Sequence, residues 1–356
     1  MKSSNLTTPK PAASAVVPES ARMQRWELLA PGVQNLALRN APKPVPGPHE
    51  VLVKIEAVSL NYRDLLMWEG QMGELAYPHV PGSDFAGQVV ETGPLVSRFS
   101  VGEHVIGVDI EDWIDGAAPG LRTNTIAVSG RLAEFAVVSE EMIVAAPKTL
   151  SPEAASTLPT AGLTAWMAVV ETGRVRAGQT WVVQGTGGVS LFALQFAAAH
   201  GANVILTSSS DEKLAFGLAL GARAGVNYRT HPAWDRDVMA YTQGRGADAV
   251  IEMAAGENLA TSVEALTIGG RILLVGLLDS DHISTPVGPL FLRRATINVI
   301  GVGPRRALED MIRAVDVLRV QPVVAAAYDW NDLPAAVAHL RRGAVGKVVV
   351  RVGSRA

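Results

Sequence analysis

Three glycines and a serine lie close together in the stretch WVVQGTGGVSLFALQFAAAHG, between an apolar run and a helical pattern. Gly185, Gly187 and Ser190 follow the spacing G-x-G-x-x-(G), in which glycine permits a tight turn and lets a pyrophosphate approach the backbone closely. The helix that follows would direct its free N–H groups and its positive dipole end at that phosphate. The spacing therefore predicts a dinucleotide-binding turn that includes Gly188 and Val189. The alternative is a structural strand–helix turn with no ligand.

The tip of the second predicted strand indicates which dinucleotide the turn would hold. An acidic residue at that tip binds the ribose hydroxyls of NAD, but this strand ends VILTSSSDEK, with hydroxyl side chains before the first acid. Hydroxyl donors and a cation suit a 2′-phosphate instead. The candidates are Ser208, Ser209, Lys213 and, after the third strand, Tyr228. We interpret Asp211 as the N-cap of the next helix, and we expect NADP(H) rather than NAD(H).

A parallel sheet must bring these groups together. After Pro147 the chain alternates between strands and helices, beginning with Ser151-Pro152-Glu153, which is typical of a helix start. This alternation predicts a doubly wound α/β domain with helices on both faces of the sheet. The predicted strands lie near 181–184, 203–207, 225–227, 248–252 and 271–275. Ligands bind at the carboxyl ends of such strands, so we expect cofactor contacts at Ala254, Val275, Gly276 and Leu277.

The regions on either side of this domain differ from it in pattern. Residues 24–144 are typical of short strands separated by Gly and Pro, which predicts a β-rich domain. After about Phe291 come a strand, TINVIG, a helix with one apolar face and a closing strand, GKVVVRV. The apolar face comprises Leu308, Met311, Ile312, Val315 and Leu318. We predict a disordered tail over 1–21, a β-rich domain over 22–147 that is completed by 297–356, and a nucleotide-binding domain over 148–296.

Composition excludes several classes of protein. The 356 residues are 48% hydrophobic and 18% charged, with a net charge of −3, so neither nucleic acid nor an anionic membrane is an expected partner. No segment has the roughly 18 consecutive apolar residues of a membrane span. The chain has no cysteine, which excludes disulfides, iron–sulfur clusters and cysteine-ligated zinc. We expect a cytoplasmic protein that acts on a small molecule.

The order of these parts resembles the medium-chain dehydrogenase/reductase superfamily, from about residue 22 to the end. The stretches that carry the resemblance are VSLNYRD, VPGSDFAGQVVETG, LPTAGLTAWMAV, VVQGTGGVS, GGRILLVG and GKVVVRV. It implies a GroES-like fold for the β-rich domain beside a Rossmann domain. It further implies that Thr160 and Thr164 contact the nicotinamide or its ribose. Looser candidates for cofactor phosphate or ribose are Lys347, Arg305 and Arg306, although a solvated surface role is favoured for Arg306.

Zinc-dependent members of this superfamily bind a catalytic metal through a Cys, a His-Glu pair after a Gly, and a second Cys or Asp. The positions that resemble these are Asn61, Ser83-Asp84 after Gly82, and Thr160. The region of the four-cysteine structural lobe, 109–130, also lacks cysteine. Oxygens of Ser, Thr and Asn are poor zinc ligands, and one carboxylate does not make a zinc site. Within the superfamily, the chain therefore resembles the zinc-free branch, which is similar to quinone oxidoreductases.

Without a metal to polarise an oxygen, hydride must go to a carbon that is already electrophilic. Quinones and α,β-unsaturated carbonyls fit, since their oxygen needs only a hydrogen-bond donor. Asn61 and Tyr62 are the catalytic candidates, because this segment borders the nicotinamide in the family. Tyr62 either donates to the substrate or only packs there, and Asp64 is a candidate helix cap. Met67 and Trp68 line the pocket or fill the core.

Two other functions are compatible with these residues. One is a zinc-free, NADP-dependent alcohol or ketone dehydrogenase, and the other is a non-catalytic binding protein that retains the fold. Members of the superfamily often pair through the edge of the Rossmann sheet. The segments RILLVGLL and TINVIGV are apolar enough to supply such an edge, so we expect a homodimer.

Overall fold

The computed structural model describes residues 22–110, 112–119 and 130–353. The predicted disordered tail, 1–21, lies outside the described residues, as do 111 and 120–129 of the region 109–130. Within the described part of the chain, no helix is long and apolar enough to cross a membrane.

The first part of the chain is made of short strands, as its Gly- and Pro-rich pattern predicts. Its longest strand, with the sequence EVLVKIEAVSL, is almost entirely buried and lies at the centre of a sheet. The elements are β1 (Arg22–Leu28), β2 (Leu36–Pro42), β3 (Glu50–Leu60), α1 (Tyr62–Trp68), β4 (Asp84–Thr92), β5 (His104–Gly107), β6 (Phe135–Ser139) and β7 (Ile143–Ala145).

The second part alternates between helices and strands. Ser151 caps its first helix, because its hydroxyl accepts the N–H of Ala154. The elements are α2 (Pro152–Ala155), α3 (Leu163–Trp166), β8 (Thr180–Gln184), α4 (Gly188–Ala199), β9 (Asn203–Ser208), α5 (Asp211–Ala219), β10 (Ala224–Asn227), α6 (Trp234–Tyr241), β11 (Ala247–Glu252), α7 (Asn258–Glu264), β12 (Leu266–Leu274), α8 (Val287–Arg293) and β13 (Thr296–Val299). Two π-helical turns, Leu158–Gly162 and Met167–Thr172, flank α3.

The six strands β8 to β13 form one parallel sheet in the order β10-β9-β8-β11-β12-β13. The chain winds outward from β8 in both directions, so the strand order reverses beside β8. In open α/β sheets, a ligand-binding crevice forms at the carboxyl ends of the strands at such a point. The predicted doubly wound α/β fold is confirmed.

The last part of the chain returns to the first sheet. Its elements are α9 (Arg305–Leu318), β14 (Val324–Tyr328), α10 (Leu333–Arg341) and β15 (Lys347–Arg351). β15 pairs antiparallel with β3, which gives a seven-stranded sheet in the order β14-β15-β3-β4-β5-β7, with β6 also paired to β3. Because β13 belongs to the parallel sheet, the boundary that we placed at residue 296 falls inside a strand.

Helix α9 presents the apolar face that its spacing predicts, with one exception. Leu308, Met311, Ile312 and Val315 are buried, whereas Leu318, at the end of the helix, is 37% exposed. These buried side chains join a core that includes Trp181 and Phe192 from the parallel sheet and its helix α4. The same core contains Ala86, Ile106 and Val144 of the antiparallel sheet. The two sheets therefore contribute to one continuous apolar core.

Candidate active site

The glycine turn joins β8 to α4, and each of its glycines has its own reason to lack a side chain. Gly185 has a φ of +76°, which other L-residues rarely adopt. Gly187 has an ordinary φ of −73°, but a Cβ placed there would meet no atom of the described residues within 4 Å. The turn thus leaves a space beside the first free N–H groups of α4, as a pyrophosphate requires. Ser190 fills the third position and donates a hydrogen bond to the Gln184 carbonyl at 2.7 Å.

The carboxyl ends of neighbouring parallel strands meet beside this turn. Gln184 on β8 pairs with Thr207 on β9, and Glu252 on β11 pairs with Leu274 on β12. The residues that follow these strands, including the candidate Ala254, therefore lie along one edge. A cavity of about 320 Å³ opens there. Its lining includes Gln184, Gly185, Thr207, Tyr228, Trp234 and Ala254.

Backbone contacts hold the segments after β11 and β12 in place. The N–H groups of Val275 and Gly276 both donate to the carbonyl of Glu252, at 2.9 and 3.2 Å. A Cβ on Gly276 would lie 2.2 Å from the Met253 carbonyl oxygen, so only glycine allows this close approach. Leu277, the next residue, is exposed.

The residues predicted to bind a 2′-phosphate differ in their exposure to solvent. Ser208 is buried, while Ser209 and Lys213 are half-buried and Tyr228 is exposed. The interpretation of Asp211 as the N-cap is wrong. Ser210 caps α5 by accepting the N–H of Lys213, because its extended backbone places its hydroxyl over the first turn.

A buried carboxylate beneath the cavity was missed in the sequence. Glu252, at the end of β11, accepts hydrogen bonds from the backbone N–H groups of Ala254 and Ala255 at 3.0 and 3.1 Å. It also accepts from the side chains of Gln184 and Asn258 at 2.9 Å each, and from the Ser262 hydroxyl. The signal for this group was an acid directly after the apolar run Ala249-Val250-Ile251, since a buried polar group must be paired.

A second polar cluster surrounds Asp84, where β4 begins. The Thr160 hydroxyl donates to Asp84 at 2.7 Å, and the Asn61 side-chain amide donates to it at 2.9 Å. Thr160 lies in a π-helical turn, which directs its side chain across to the antiparallel sheet. The Lys347 ammonium donates to the Asn61 Oδ1 and to the Leu60 carbonyl, and lies 4.0 Å from Asp84. We call Lys347, Asn61, Asp84 and Thr160 the lysine cluster.

Burial controls the ionisation of the lysine cluster. It raises the pKa of Asp84 to about 6, with the neighbouring Lys347 opposing the shift. Burial also lowers the pKa of Lys347, which Asp84 and Asp64 oppose. Burial likewise raises the pKa of Asp64, whose carboxylate accepts the Asn61 N–H at 2.8 Å and the Ser83 hydroxyl at 2.9 Å. The N-cap of α1 is Asn61 rather than Asp64, and Asp64 is the third residue of the helix, where its carboxylate completes a capping box.

The lysine cluster does not suit zinc. Its donors are an amide, a hydroxyl and one carboxylate, whereas zinc sites use thiolate, imidazole and carboxylate ligands. The three groups are already joined by hydrogen bonds, and an ammonium group lies among them. Among the residues that the structure describes, no group of three or more His, Asp or Glu side chains has a geometry that suits a metal ion.

The remaining candidates lie in different surroundings. Tyr62 is 54% exposed, while Thr164, Met67 and Trp68 are buried, the last two in the core of the antiparallel sheet. The candidate phosphate contacts Arg305 and Arg306 are ion-paired. Arg305 contacts Glu141, and Arg306 contacts Asp115, Glu171 and Asp310. A separate pair was not anticipated: Arg63 makes two hydrogen bonds to Asp109, at 2.6 and 2.9 Å.

Two family models match the chain: the alcohol dehydrogenase GroES-like domain over residues 47–148 and the zinc-binding dehydrogenase over 188–317. A zinc-type alcohol dehydrogenase-like protein from Schizosaccharomyces pombe is 37% identical over 316 residues, which cover 86% of this chain and 91% of the relative. A quinone oxidoreductase from Mus musculus is 34% identical and covers 65% of this chain and 66% of the relative.

Solved structures agree with these matches. A crystal structure from Sinorhizobium meliloti, assigned to the alcohol dehydrogenases, shares 47% identity with a TM-score of 0.90 and covers 94% of this chain and all of that one. The chain belongs to the medium-chain dehydrogenase/reductase superfamily and is an oxidoreductase of that group. Its front domain has the GroES-like fold that the resemblance implied.

Proposed function

We propose that this protein is an NADPH-dependent reductase that transfers hydride to quinones or α,β-unsaturated carbonyls without a catalytic zinc. The observation that carries the proposal is the lysine cluster. The positions that resemble the zinc ligands of relatives hold Asn61, Asp84 and Thr160, which already satisfy one another and Lys347. A substrate that is electrophilic by conjugation needs no metal to polarise it.

The residues along the carboxyl edge of the parallel sheet would hold the cofactor, which supplies the hydride when bound. The N–H groups of the turn from Gly185 to Val189 would bind the pyrophosphate. Ser209, Lys213 and Tyr228 are the donors for a 2′-phosphate. The cofactor contacts proposed in addition are Thr160, Thr164, Gly188, Ser208, Ala254, Val275, Gly276 and Leu277. Lys347, a looser candidate in the sequence, is not among them, because its ammonium is buried and donates to Leu60 and Asn61.

Tyr62 is the proposed donor to the substrate oxygen, since its side chain is exposed at the start of α1. A phenol that donates a hydrogen bond there would stabilise the charge that develops on oxygen as hydride arrives. The Asn61 amide contacts Asp84, Ser83 and Lys347. We therefore assign Asn61 to holding the segment in place, and Tyr62 to the hydrogen bond itself.

Steady-state assays with the purified full chain test this function. We expect NADPH oxidation with a quinone or an enone, no loss of rate after treatment with a chelator, and less than one tenth of a zinc per chain, on the order of a trace contaminant. Tyr62→Phe should lower kcat roughly tenfold or more while it leaves NADPH binding unchanged. Stoichiometric zinc whose removal abolishes the rate would contradict the proposal.

Two outcomes would favour the other functions. Oxidation of a simple alcohol with NADP⁺ in chelator, without quinone or enone reduction, would favour a zinc-free alcohol dehydrogenase. NADPH binding without turnover of any of these substrates would favour a binding protein that retains the fold.

A further inference from the structure

The glycine turn is joined directly to the antiparallel sheet. The N–H of Gly346, just before β15, donates to the Thr186 carbonyl at 2.9 Å, and Gly346 forms an isolated β-bridge with Gly187. Lys347 is the next residue and is 5% exposed. Its side chain therefore starts beside the proposed pyrophosphate site and must extend through protein.

The stem of Lys347 occupies the space beside Gly188. A Cβ on Gly188 would lie 2.6 Å from Lys347 Cδ and 3.1 Å from its Cγ. At the neighbouring Gly187, by contrast, an added Cβ would meet nothing within 4 Å in the described part of the chain. The two adjacent positions therefore hold glycine for different reasons. The missing side chain of Gly187 leaves room for a ligand, and that of Gly188 leaves room for the stem of Lys347.

The other end of Lys347 determines the orientation of Asn61. An ammonium group offers only donors and an ionised carboxylate offers only acceptors. The Asn61 amide lies between Lys347 and Asp84, so only one orientation satisfies both, with Oδ1 toward Lys347 and Nδ2 toward Asp84. The ammonium also donates to the Leu60 carbonyl at 2.8 Å, which restrains the backbone just before Asn61.

We propose that Lys347 is a positioning residue that holds the glycine turn and the Asn61-Tyr62 segment at a fixed separation. The proposal rests on the proposed function, because it is the cofactor on the turn and the phenol of Tyr62 whose separation matters. In this role Lys347 does not bind the cofactor phosphate. Residue 188 is glycine because a side chain there would collide with the stem of Lys347.

A double-mutant cycle between Gly188 and Lys347 tests the packing contact. The readouts are the midpoint of thermal unfolding without cofactor and the NADPH dissociation constant from a fluorescence titration. Gly188→Ala should lower the midpoint by about 3 °C and weaken NADPH binding roughly tenfold, because overpacking shifts the turn. The same substitution should have little effect in Lys347→Ala, which lacks the stem, and its full effect in Lys347→Met, which keeps it. An equal effect in all three backgrounds, or none in any, would overturn the proposal.

Turnover tests the other end of the lysine. Lys347→Met should lower kcat for quinone reduction about tenfold with the KM for NADPH changed by less than about twofold, since the turn keeps its packing. In a Tyr62→Phe background, Lys347→Met should lower kcat by less than about a further twofold, because the phenol that Lys347 positions is already absent. The control is Lys54→Met, the same change at an exposed position of β3, and it should be neutral. Losses that multiply across the two backgrounds would refute the positioning role.

The two proposals fail in different ways. A wild-type protein that binds no NADPH, or that reduces no quinone or enone, would refute the proposed function. The unfolding cycle at Gly188 and Lys347 needs neither cofactor nor substrate, so it tests the packing contact in either case.

Discussion

Single residues in the turn have distinct physical roles, even where the sequence shows only a run of glycines. Gly185 is required by its positive φ, while Gly187 is required only if a ligand occupies the space that it leaves. Stability and cofactor affinity should therefore respond differently to substitution at these two positions.

Alanine substitutions separate these roles. Gly185→Ala should lower the free energy of unfolding by about 1–2 kcal/mol, the cost of a left-handed backbone with a side chain. Gly187→Ala should change it by less than about 1 kcal/mol, yet raise the NADPH dissociation constant tenfold or more, on the order expected when a Cβ blocks the pyrophosphate. Chemical denaturation and cofactor titration measure both. Unchanged NADPH binding in Gly187→Ala would argue against a ligand on this turn.

Lys213 tests the preference for a phosphorylated cofactor. Removal of its charge in Lys213→Ala should weaken NADPH about tenfold and NADH less than about twofold, because only the 2′-phosphate offers a charge-assisted contact. Calorimetry with each cofactor measures the difference. Arg223→Ala is the matched control. Arg223 is an exposed cation that precedes β10, and it therefore lies at the amino-terminal ends of the parallel strands, away from the proposed cofactor site. Equal losses for NADPH and NADH would contradict the assignment.

Asp84 makes stability depend on pH. Its pKa is raised from 3.8 to about 6 by burial, so the folded state binds more protons than the unfolded state between these values. The contribution to stability is present below pH 3.8 and is lost as pH rises through about 6. Relative to Asp84→Asn, wild type should lose unfolding free energy from pH 4 to pH 6, roughly, and change little above. A difference that is constant with pH in denaturant titrations would exclude this titration.

At the scale of elements, the ends of β8 and β11 are joined by the buried carboxylate of Glu252. Its hydrogen bonds to Gln184, Asn258 and the backbone after β11 hold together the two strand ends that border the cavity. The same strand ends carry the proposed contacts to the pyrophosphate and the ribose.

Glu252→Ala should lower the free energy of unfolding by about 3 kcal/mol, because several buried donors lose their acceptor. NADPH affinity should fall as well, since the two strand ends lose their shared anchor. Glu257→Ala is the control, an exposed acid five residues on, and should cost less than about 0.5 kcal/mol. Denaturant titration of both variants measures this, and similar stabilities would show that the buried network adds little.

At the scale of the whole molecule, β13 leaves one edge of the parallel sheet unpaired among the described residues. Exposed apolar side chains lie on β13, on the helix α8 that precedes it, and in the segment that follows its neighbour β12. They are Leu277, Leu278, Val287, Phe291, Leu292 and Val299. An unpaired, apolar edge favours pairing with a second chain, so we propose that two copies associate through β13.

A single charge tests this association. Val299, on β13, is 79% exposed, so Val299→Asp should leave the folded monomer intact and shift the mass in light scattering from dimer to monomer. Val317, on α9, is 78% exposed, and Val317→Asp should leave the mass unchanged. A monomeric wild type, or a dimer that Val299→Asp does not affect, would refute pairing at this edge.

Much of the architecture follows from the sequence, because it depends on local patterns. The alternation of apolar strands with helices, the cap at Ser151 and the glycines of the turn each act within a few residues, and the structure agrees with all three. The replacement of cysteine and histidine by Asn61, Ser83 and Thr160 is likewise a matter of residue type, and it made a zinc site implausible before any geometry was known.

The tertiary structure alone decided which distant polar groups meet. Lys347 lies 286 residues from Asn61, yet the antiparallel pairing of β15 with β3 places it beside Asn61. Glu252 is an acid that follows an apolar run, and only the tertiary structure shows its partner Gln184. Local patterns determine strands and turns because those depend on neighbours along the chain. The pairing of buried charges depends on contacts across sheets, which no local pattern contains.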